Sequence, residues 1–232
     1  MAGSKRKATP APRVAPAEAA RSSGAPDERC LVPPDCTWPV ILGVDPGTRS
    51  MGYGAIVIAP DGPRLLLAGV IAPRAGTALA ERLAEISVEL PRVLARCRPS
   101  WLVVERAFSA LNVQSAFRIG ESRGVVLACA ARAAVPIAEY SPAQAKKAVL
   151  GHGSASKEQV AAMLPRLLRG SVQGLPDDAT DALALALTHA RKLAFERRMP
   201  VPRSERALAV PGRARSNNAV ARVGRPRASQ SA

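Results

Sequence analysis

Two short apolar runs in this chain each end on a carboxylate. Residues 40–44 lead into Asp45, and residues 101–104 lead into Glu105. Apolar runs of this length are typical of buried strands, so each acid would lie at a strand end on rigid backbone. Asp45 can alternatively be a turn residue that bonds its own backbone ahead of Pro46-Gly47. Because two strands share the same ending, we favour a common chemical role for the two acids.

A second pair of acids lies near the start of the last predicted helix. Asp178 and Asp181 are three residues apart, which puts both on one face of a helix that opens at Pro176. Acids in a first turn also complement the helix dipole, and this alternative explains Asp177 well. It explains Asp181 less well, because the apolar segment 182–187 follows at once. A carboxylate entering a core needs a partner or a metal ion.

Carboxylates from separate strands and a helix form the kind of ligand set that Mg²⁺ prefers. Two such ions about 4 Å apart can activate a water and stabilise the leaving oxygen of a phosphodiester. This chemistry needs no histidine. The chain has 2 His residues, His152 in a Gly-rich segment and His189 near a helix end, and we predict no catalytic role for either. The four acids therefore favour metal-dependent phosphodiester hydrolysis.

The strands that would position these acids can be predicted from the apolar pattern. Three strands joined by short turns would form an antiparallel meander, and two more strands would follow later in the chain. The predicted strands are residues 40–45, about 53–59, 65–72, 101–105 and 135–138.

Helical spacing of apolar residues and capping signals predict the helices. Thr77 would cap the first helix, which would run to about Arg96. Ser141 and Ser156 each begin a capping-box pattern with Gln three residues later. Further helices are predicted over about 114–133 and from Pro176 to about 195.

The charge of the chain points to a polyanionic partner. The net charge is +15 over 232 residues, and more than half of the excess lies in residues 1–38 and 196–232. Nucleic acid is the commonest partner for such a balance, with a solvated basic surface as the alternative. Both ends are rich in Ala, Pro, Arg and Ser without apolar periodicity. We predict that they are disordered tails flanking one domain at residues 39–195.

Cysteine usage and hydropathy indicate the cellular compartment in which we expect the protein. The 4 Cys residues form no Cys-x-x-Cys pair, which argues against a zinc site and against a disulfide framework. A reduced, cytoplasmic compartment is the expectation. No apolar run approaches the ~20 residues that span a bilayer, and no apolar segment follows the N-terminal charges as in a signal peptide. We therefore expect no membrane partner.

Taken in order, these motifs resemble the RuvC family of bacterial Holliday-junction resolvases over about residues 39–193. A lone Asp-Pro-Gly is a weak signal, whereas all the matching segments at compatible spacing are a strong one. The resemblance implies an α/β fold of the RNase H-like class, with a five-stranded mixed sheet, its first three strands antiparallel, and helices on both faces. The matching segments are residues 41–49, 52–54, 105–112, 123–124, Lys146, 151–160 and 178–184.

The resemblance also implies which acids do the chemistry. The metal would be Mg²⁺, with two ions per subunit. Its ligands would be Asp45, Glu105, Asp178 and Asp181. The catalytic residues would be Asp45, Glu105 and Asp178. Of the helix pair, Asp178 is preferred as the principal ligand, with Asp181 as its neighbour or as an alternative ligand.

The resemblance further implies three DNA-binding residues. Phe108 would stack on a base near the junction point, a contact that contributes ~1–3 kcal/mol. Lys146 and Lys157 would contact phosphate near the scissile bond. The alternatives are a loop Phe folded into the core and two solvated helix charges.

The function implied is that of a homodimeric endonuclease. It would resolve four-way DNA junctions by symmetric nicks in recombination and repair, with the branch-migration proteins RuvA and RuvB as partners. The Ala-rich helix at about 114–133 would supply the dimer contact. The alternatives are an RNase H-like nuclease of the YqgF type, a junction-binding module without cleavage, and an actin-like ATPase, whose fold needs a second lobe and more residues. No family role extends to the tails.

Overall fold

The structure is a computed structural model that describes residues 31–33, 36–106 and 113–198. The fold belongs to the unit formed by residues 1–196. The predicted tails fall almost entirely outside the described ranges, so their disorder stays a prediction. None of the helices in the described ranges has the length and apolar character needed to cross a membrane.

Five strands form one mixed sheet in the order β3-β2-β1-β4-β5. β1 pairs antiparallel with β2, and β2 with β3, whereas β4 runs parallel to β1 and to β5. The predicted five-stranded mixed sheet, with its first three strands antiparallel, is confirmed. The strands are β1 (Val40–Asp45), β2 (Met51–Ala59), β3 (Gly62–Ile71), β4 (Trp101–Glu105) and β5 (Ile137–Tyr140).

Five helices complete the described fold. Both predicted capping boxes are present, from Ser141 and from Ser156, because each serine hydroxyl accepts the N–H of a glutamine whose side chain bonds back. The helices are α1 (Leu79–Cys97), α2 (Val113–Arg132), α3 (Pro142–Leu150), α4 (Lys157–Leu167) and α5 (Asp177–Arg198).

Several predicted boundaries differ from the structure by one to three residues, and two of these differences have a visible cause. The N-cap of α1 is Ala78, without a side-chain cap, because the Thr77 hydroxyl donates to the Arg74 carbonyl. The last strand begins two residues later than the predicted start at residue 135. The reason is that the Val135 N–H bonds the Ala130 carbonyl, which closes the end of α2 and leaves Val135 out of the sheet.

Apolar residues on the two faces of the sheet form separate cores, because successive strand side chains point to opposite faces. One core packs Leu42 and Val44 against Leu90 of α1 and Val126 of α2. The other packs residues including Ile41 against α4 and α5, through Leu164, Leu183 and Leu187. Helices therefore cover both faces, and the carboxyl ends of β1 and β4 meet at one end of the sheet.

Candidate metal centre

The carboxyl ends of two neighbouring parallel strands carry the first two acids. Val44 of β1 lies opposite Val104 of β4, so Asp45 and Glu105 are the next residues on adjacent strands. Both acids line one cavity of about 150 Å³, and both are only partly exposed. Sheet pairing thus holds these carboxyl groups side by side.

Helix α5 lies directly on the backbone of β1 and β2, because glycines leave room for it. A Cβ atom at Gly43 would lie 1.9 Å from the carbonyl oxygen of Ala182, and one at Gly52 would lie 1.9 Å from that of Asp178. Gly52 is also the residue opposite Asp45 in the antiparallel pair. The start of α5 is therefore brought next to the two strand acids.

The two acids of α5 have different surroundings. Asp181 lines the cavity with Asp45 and Glu105, and it accepts a hydrogen bond of 2.5 Å from the Nζ of Lys157. Asp178 instead accepts a hydrogen bond from the Oγ of Ser50. The structure thus gathers three of the four predicted acids around one cavity and places Asp178 beside it.

Burial and mutual repulsion make negative charge unfavourable here. Desolvation, and then the charge of Glu105, raises the pKa of Asp45 to about 7; Asp181 and Asp178 add smaller contributions in the same direction. Desolvation, and then the charge of Asp181, raises the pKa of Glu105. The hydrogen bond to Asp181 raises the pKa of Lys157, whose positive charge in turn opposes the rise in pKa of both strand acids.

A hard divalent cation fits this set of donors. Carboxylate oxygens are its preferred ligands, and its charge would remove the repulsion that raises the pKa values of Asp45 and Glu105. Across the described ranges, no three His, Cys, Asp or Glu side chains already form a closed ligand group. Ser50 and Lys157 each bond one oxygen, Oδ2, of Asp178 and Asp181, and a carboxylate has a second oxygen that can bind a cation without replacing these hydrogen bonds.

The two lysines predicted to bind DNA lie at the same cavity. Lys146 of α3 and Lys157, the first residue of α4, both line it with the acids. The structure therefore brings the predicted lysines and acids together. Phe108 lies outside the described residues, so its predicted base-stacking contact stays a prediction.

Neither histidine lies at this cavity. His152 is exposed and contacts the hydroxyl of Ser154. His189 is buried, with its Nδ1 atom 2.8 Å from the hydroxyl of Tyr140 and its ring against Trp101.

Sequence reasoning did not single out two serines that hold the turn after β1. The fully buried Ser122 of α2 donates to the carbonyl of Gly47 over 3.0 Å, and Ser50 holds Asp178 at the other end of the turn. Both contacts join residues far apart in the chain. The available signal, a serine on an otherwise apolar helix face, does not identify its partner.

A family model and two sequence relatives carry the same family name. The family model described as "Crossover junction endodeoxyribonuclease RuvC" matches residues 41–189. The protein of that name from Anaeromyxobacter sp. (strain Fw109-5) is 44% identical over 175 residues, which cover 75% of this chain and 82% of the relative. The one from Chlorobaculum parvum (strain DSM 263 / NCIMB 8327) is 44% identical over 147 residues, covering 63% of this chain and 79% of the relative.

A solved structure gives the same result. T. thermophilus RuvC in complex with a Holliday junction substrate is 36% identical to this chain, with a TM-score of 0.63. The match covers 68% of this chain and 96% of that one. The chain is thus similar to this protein over nearly the whole of the latter's length.

Proposed function

This chain belongs to the RuvC family of crossover junction endodeoxyribonucleases, and from that premise we propose that its acid cavity cuts four-way DNA junctions by symmetric phosphodiester hydrolysis. The observation that carries the proposal is the meeting of Asp45, Glu105 and Asp181 with Lys146 and Lys157 at one cavity. Acids and cations together suit a site that binds metal ions and a DNA phosphate. The family match favours this function over a YqgF-type nuclease, a binding module or an actin-like ATPase.

The metal ligands would be the four acids. Nucleases of this family and fold depend on a divalent metal ion, and we propose Mg²⁺, two ions per subunit, held by Asp45, Glu105, Asp178 and Asp181. Of these, we assign catalysis to Asp45, Glu105 and Asp178. When bound, such ions activate a water and stabilise the leaving oxygen of an in-line displacement.

The rigid parts of the fold would set the ligand positions. Asp45 and Glu105 are fixed by the pairing of β1 and β4, so they can hold a cation without a large rearrangement. The acids of α5 are positioned by the contact of that helix with Gly43 and Gly52. Rigid elements place functional groups more accurately than loops do.

The lysines would bind the DNA strand at the cut. The ammonium group of Lys157 has three N–H donors, so it can contact a phosphate oxygen while it also bonds Asp181, a role that suits lysine as a point charge. Lys146, on the same cavity wall, would contact the phosphate from α3. Phe108 would stack on a base next to the cut.

Helix α2 would form the contact of a homodimer. Phe117 and Ile119 are 68% and 40% exposed, and a Cβ at Gly120 or Gly124 would meet nothing within 4 Å in the subunit. An apolar surface with small residues allows close packing of a second copy of the helix. A dimer with two related active sites suits a substrate that is itself nearly two-fold symmetric. The family also suggests RuvA and RuvB as partners, and the cytoplasm as the place of action.

The decisive experiment measures cleavage of a synthetic mobile four-way junction. We expect paired, symmetric nicks with Mg²⁺, weak or no nicking with Ca²⁺, and none from Asp45→Asn, whose junction binding should persist. Unchanged cleavage by this variant would refute the metal-site assignment. Cutting on one side only, or of plain duplex alone, would refute junction resolution.

A further inference from the structure

Three arginines surround a second cavity next to the turn that follows Asp45. This cavity has a volume of about 420 Å³ and is lined by Arg49 of that turn and by Arg74 and Arg82, with residues 73 and 75–77 completing its wall. It lies between the turn and the segment that connects β3 to α1. None of the predicted acids or lysines of the metal centre lines it.

The guanidinium groups of this cavity have no acidic partner among the described residues. Other arginines in the described chain do have one, as Arg123 has in Glu139. The Nε of Arg82 is buried and has no hydrogen-bond partner. Glu85 accepts the backbone N–H of Arg74 over 2.9 Å and forms no ion pair with its guanidinium group. Three like charges around one cavity repel each other, and a bound anion would remove that repulsion.

The start of helix α1 adds donors to the same place. Its N-cap, Ala78, makes no side-chain capping bond, so the N–H groups of the first turn lack the partner that a Ser or Asp would supply. Thr77, directly before it, lines the cavity. Free N–H groups and the positive end of a helix dipole favour an anion. The acid of this turn, Glu81, is exposed to solvent.

We propose that Arg49, Arg74 and Arg82 form a subsite for a backbone phosphate of the DNA strand that flanks the cut. The assignment rests on the proposed nuclease function. Arg49 is four residues from Asp45 in the chain. Because an extended chain spans at most ~3.6 Å per residue, the Cα atoms of the two residues lie within about 14 Å of each other. A strand whose scissile phosphate occupies the acid cavity would therefore pass this cavity. Guanidinium groups bind phosphate in a bidentate fashion.

The test measures the binding of a labelled four-way junction, without divalent ions, as a function of salt. Arg49→Gln and Arg74→Gln alter exposed side chains, so the fold should persist. Loss of one phosphate contact reduces the slope of log K against log [salt] by about 0.9, and we expect that loss in the double variant. Arg82→Lys should weaken binding with little change in slope, because the charge stays but the bidentate geometry is lost.

The matched control is Arg98→Gln/Arg132→Gln, which replaces two exposed arginines that line a different, largely apolar cavity between α1 and α2. It should keep the wild-type slope. Wild-type affinity and slope in the Arg49→Gln/Arg74→Gln double variant would overturn the proposal. A loss of slope in the control equal to that in the double variant would also overturn it, because the effect would then be one of total charge.

A second measurement separates DNA phosphate from free phosphate. Inorganic phosphate could stabilise the wild type against heat, and stabilise the double variant less. If both proteins nevertheless bind the junction with the same slope, the cavity binds free anions and the proposal is wrong. Because binding is measured without cleavage, a wild type that binds junctions but never nicks them refutes the nuclease function alone. The comparison of the salt slopes of wild type and double variant then still tests whether the three arginines bind a DNA phosphate.

Discussion

At the residue scale, Asp45 is held where its negative charge is unfavourable without a cation. Desolvation and the neighbouring acids raise its pKa to about 7. An acid whose pKa is raised by folding binds more protons in the folded state than in the unfolded state, between about pH 4 and pH 7. The free energy of unfolding therefore falls as pH rises through this window. The proposed cation site would account for such a residue, because a bound cation would offset this cost.

The first prediction concerns Asp45→Asn in the metal-free protein. The amide cannot ionise, so the variant should lose much of the decline in stability between pH 4 and pH 7. At pH 7 it should be more stable than the wild type, by on the order of 1–3 kcal/mol. Thermal unfolding in EDTA at several pH values measures this. Glu121→Gln, an exposed glutamate on α2, is the control and should follow the wild-type curve. A variant less stable than the wild type at pH 7 would contradict the account.

At the element scale, the turn over residues 46–50 ties three elements together. It follows β1, accepts a hydrogen bond from the buried Ser122 of α2, and donates one from Ser50 to Asp178 of α5. It also carries Arg49 to the arginine cavity. Because α2 also presents the proposed dimer surface, this turn links that surface to the candidate metal centre through two hydrogen bonds.

The contact of α5 with the sheet gives the second prediction. A Cβ added by Gly52→Ala would lie 1.9 Å from the carbonyl oxygen of Asp178, and backbone on both sides cannot move aside locally. The start of α5 must then shift, which should cost about 1–3 kcal/mol of stability. Nicking should fall much more than junction binding. Urea unfolding and single-turnover cleavage measure the two effects. Unchanged nicking in a folded variant would show that α5 does not position the acids through this contact.

At the scale of the whole molecule, the proposed dimer would set the arrangement of two active sites. The third prediction is that Phe117→Glu converts a dimer into a monomer, because it places a charge on the exposed apolar surface of α2. Sedimentation equilibrium measures the mass, and junction cleavage should change from paired to single nicks. Phe195→Glu is the matched control, since Phe195 of α5 is 63% exposed and Phe117 is 68% exposed. Dissociation in the control but not in Phe117→Glu would place the dimer contact elsewhere.

Most of the fold could be predicted from the sequence because its signals are local. Apolar runs that end on Asp45 and Glu105 mark two strands, and the capping boxes at Ser141 and Ser156 mark two helix starts. A helix start predicted from a local capping signal was wrong where the capping side chain had a second hydrogen-bond partner nearby. The Thr77 hydroxyl donates to the Arg74 carbonyl instead of accepting an N–H of the first turn of α1, a choice between two nearby backbone partners that composition and spacing do not decide.

The sequence by itself determined the family, the sheet and the four candidate acids, because residue type and order are sufficient for each of these. Only the tertiary structure decided which acid of α5 lines the cavity. Asp181 faces the cavity and Asp178 faces Ser50, because the docking of α5 on Gly43 and Gly52 sets the rotation of the helix. Only the tertiary structure brought Arg49 next to Arg82, since contacts between distant segments depend on packing and not on spacing in the chain.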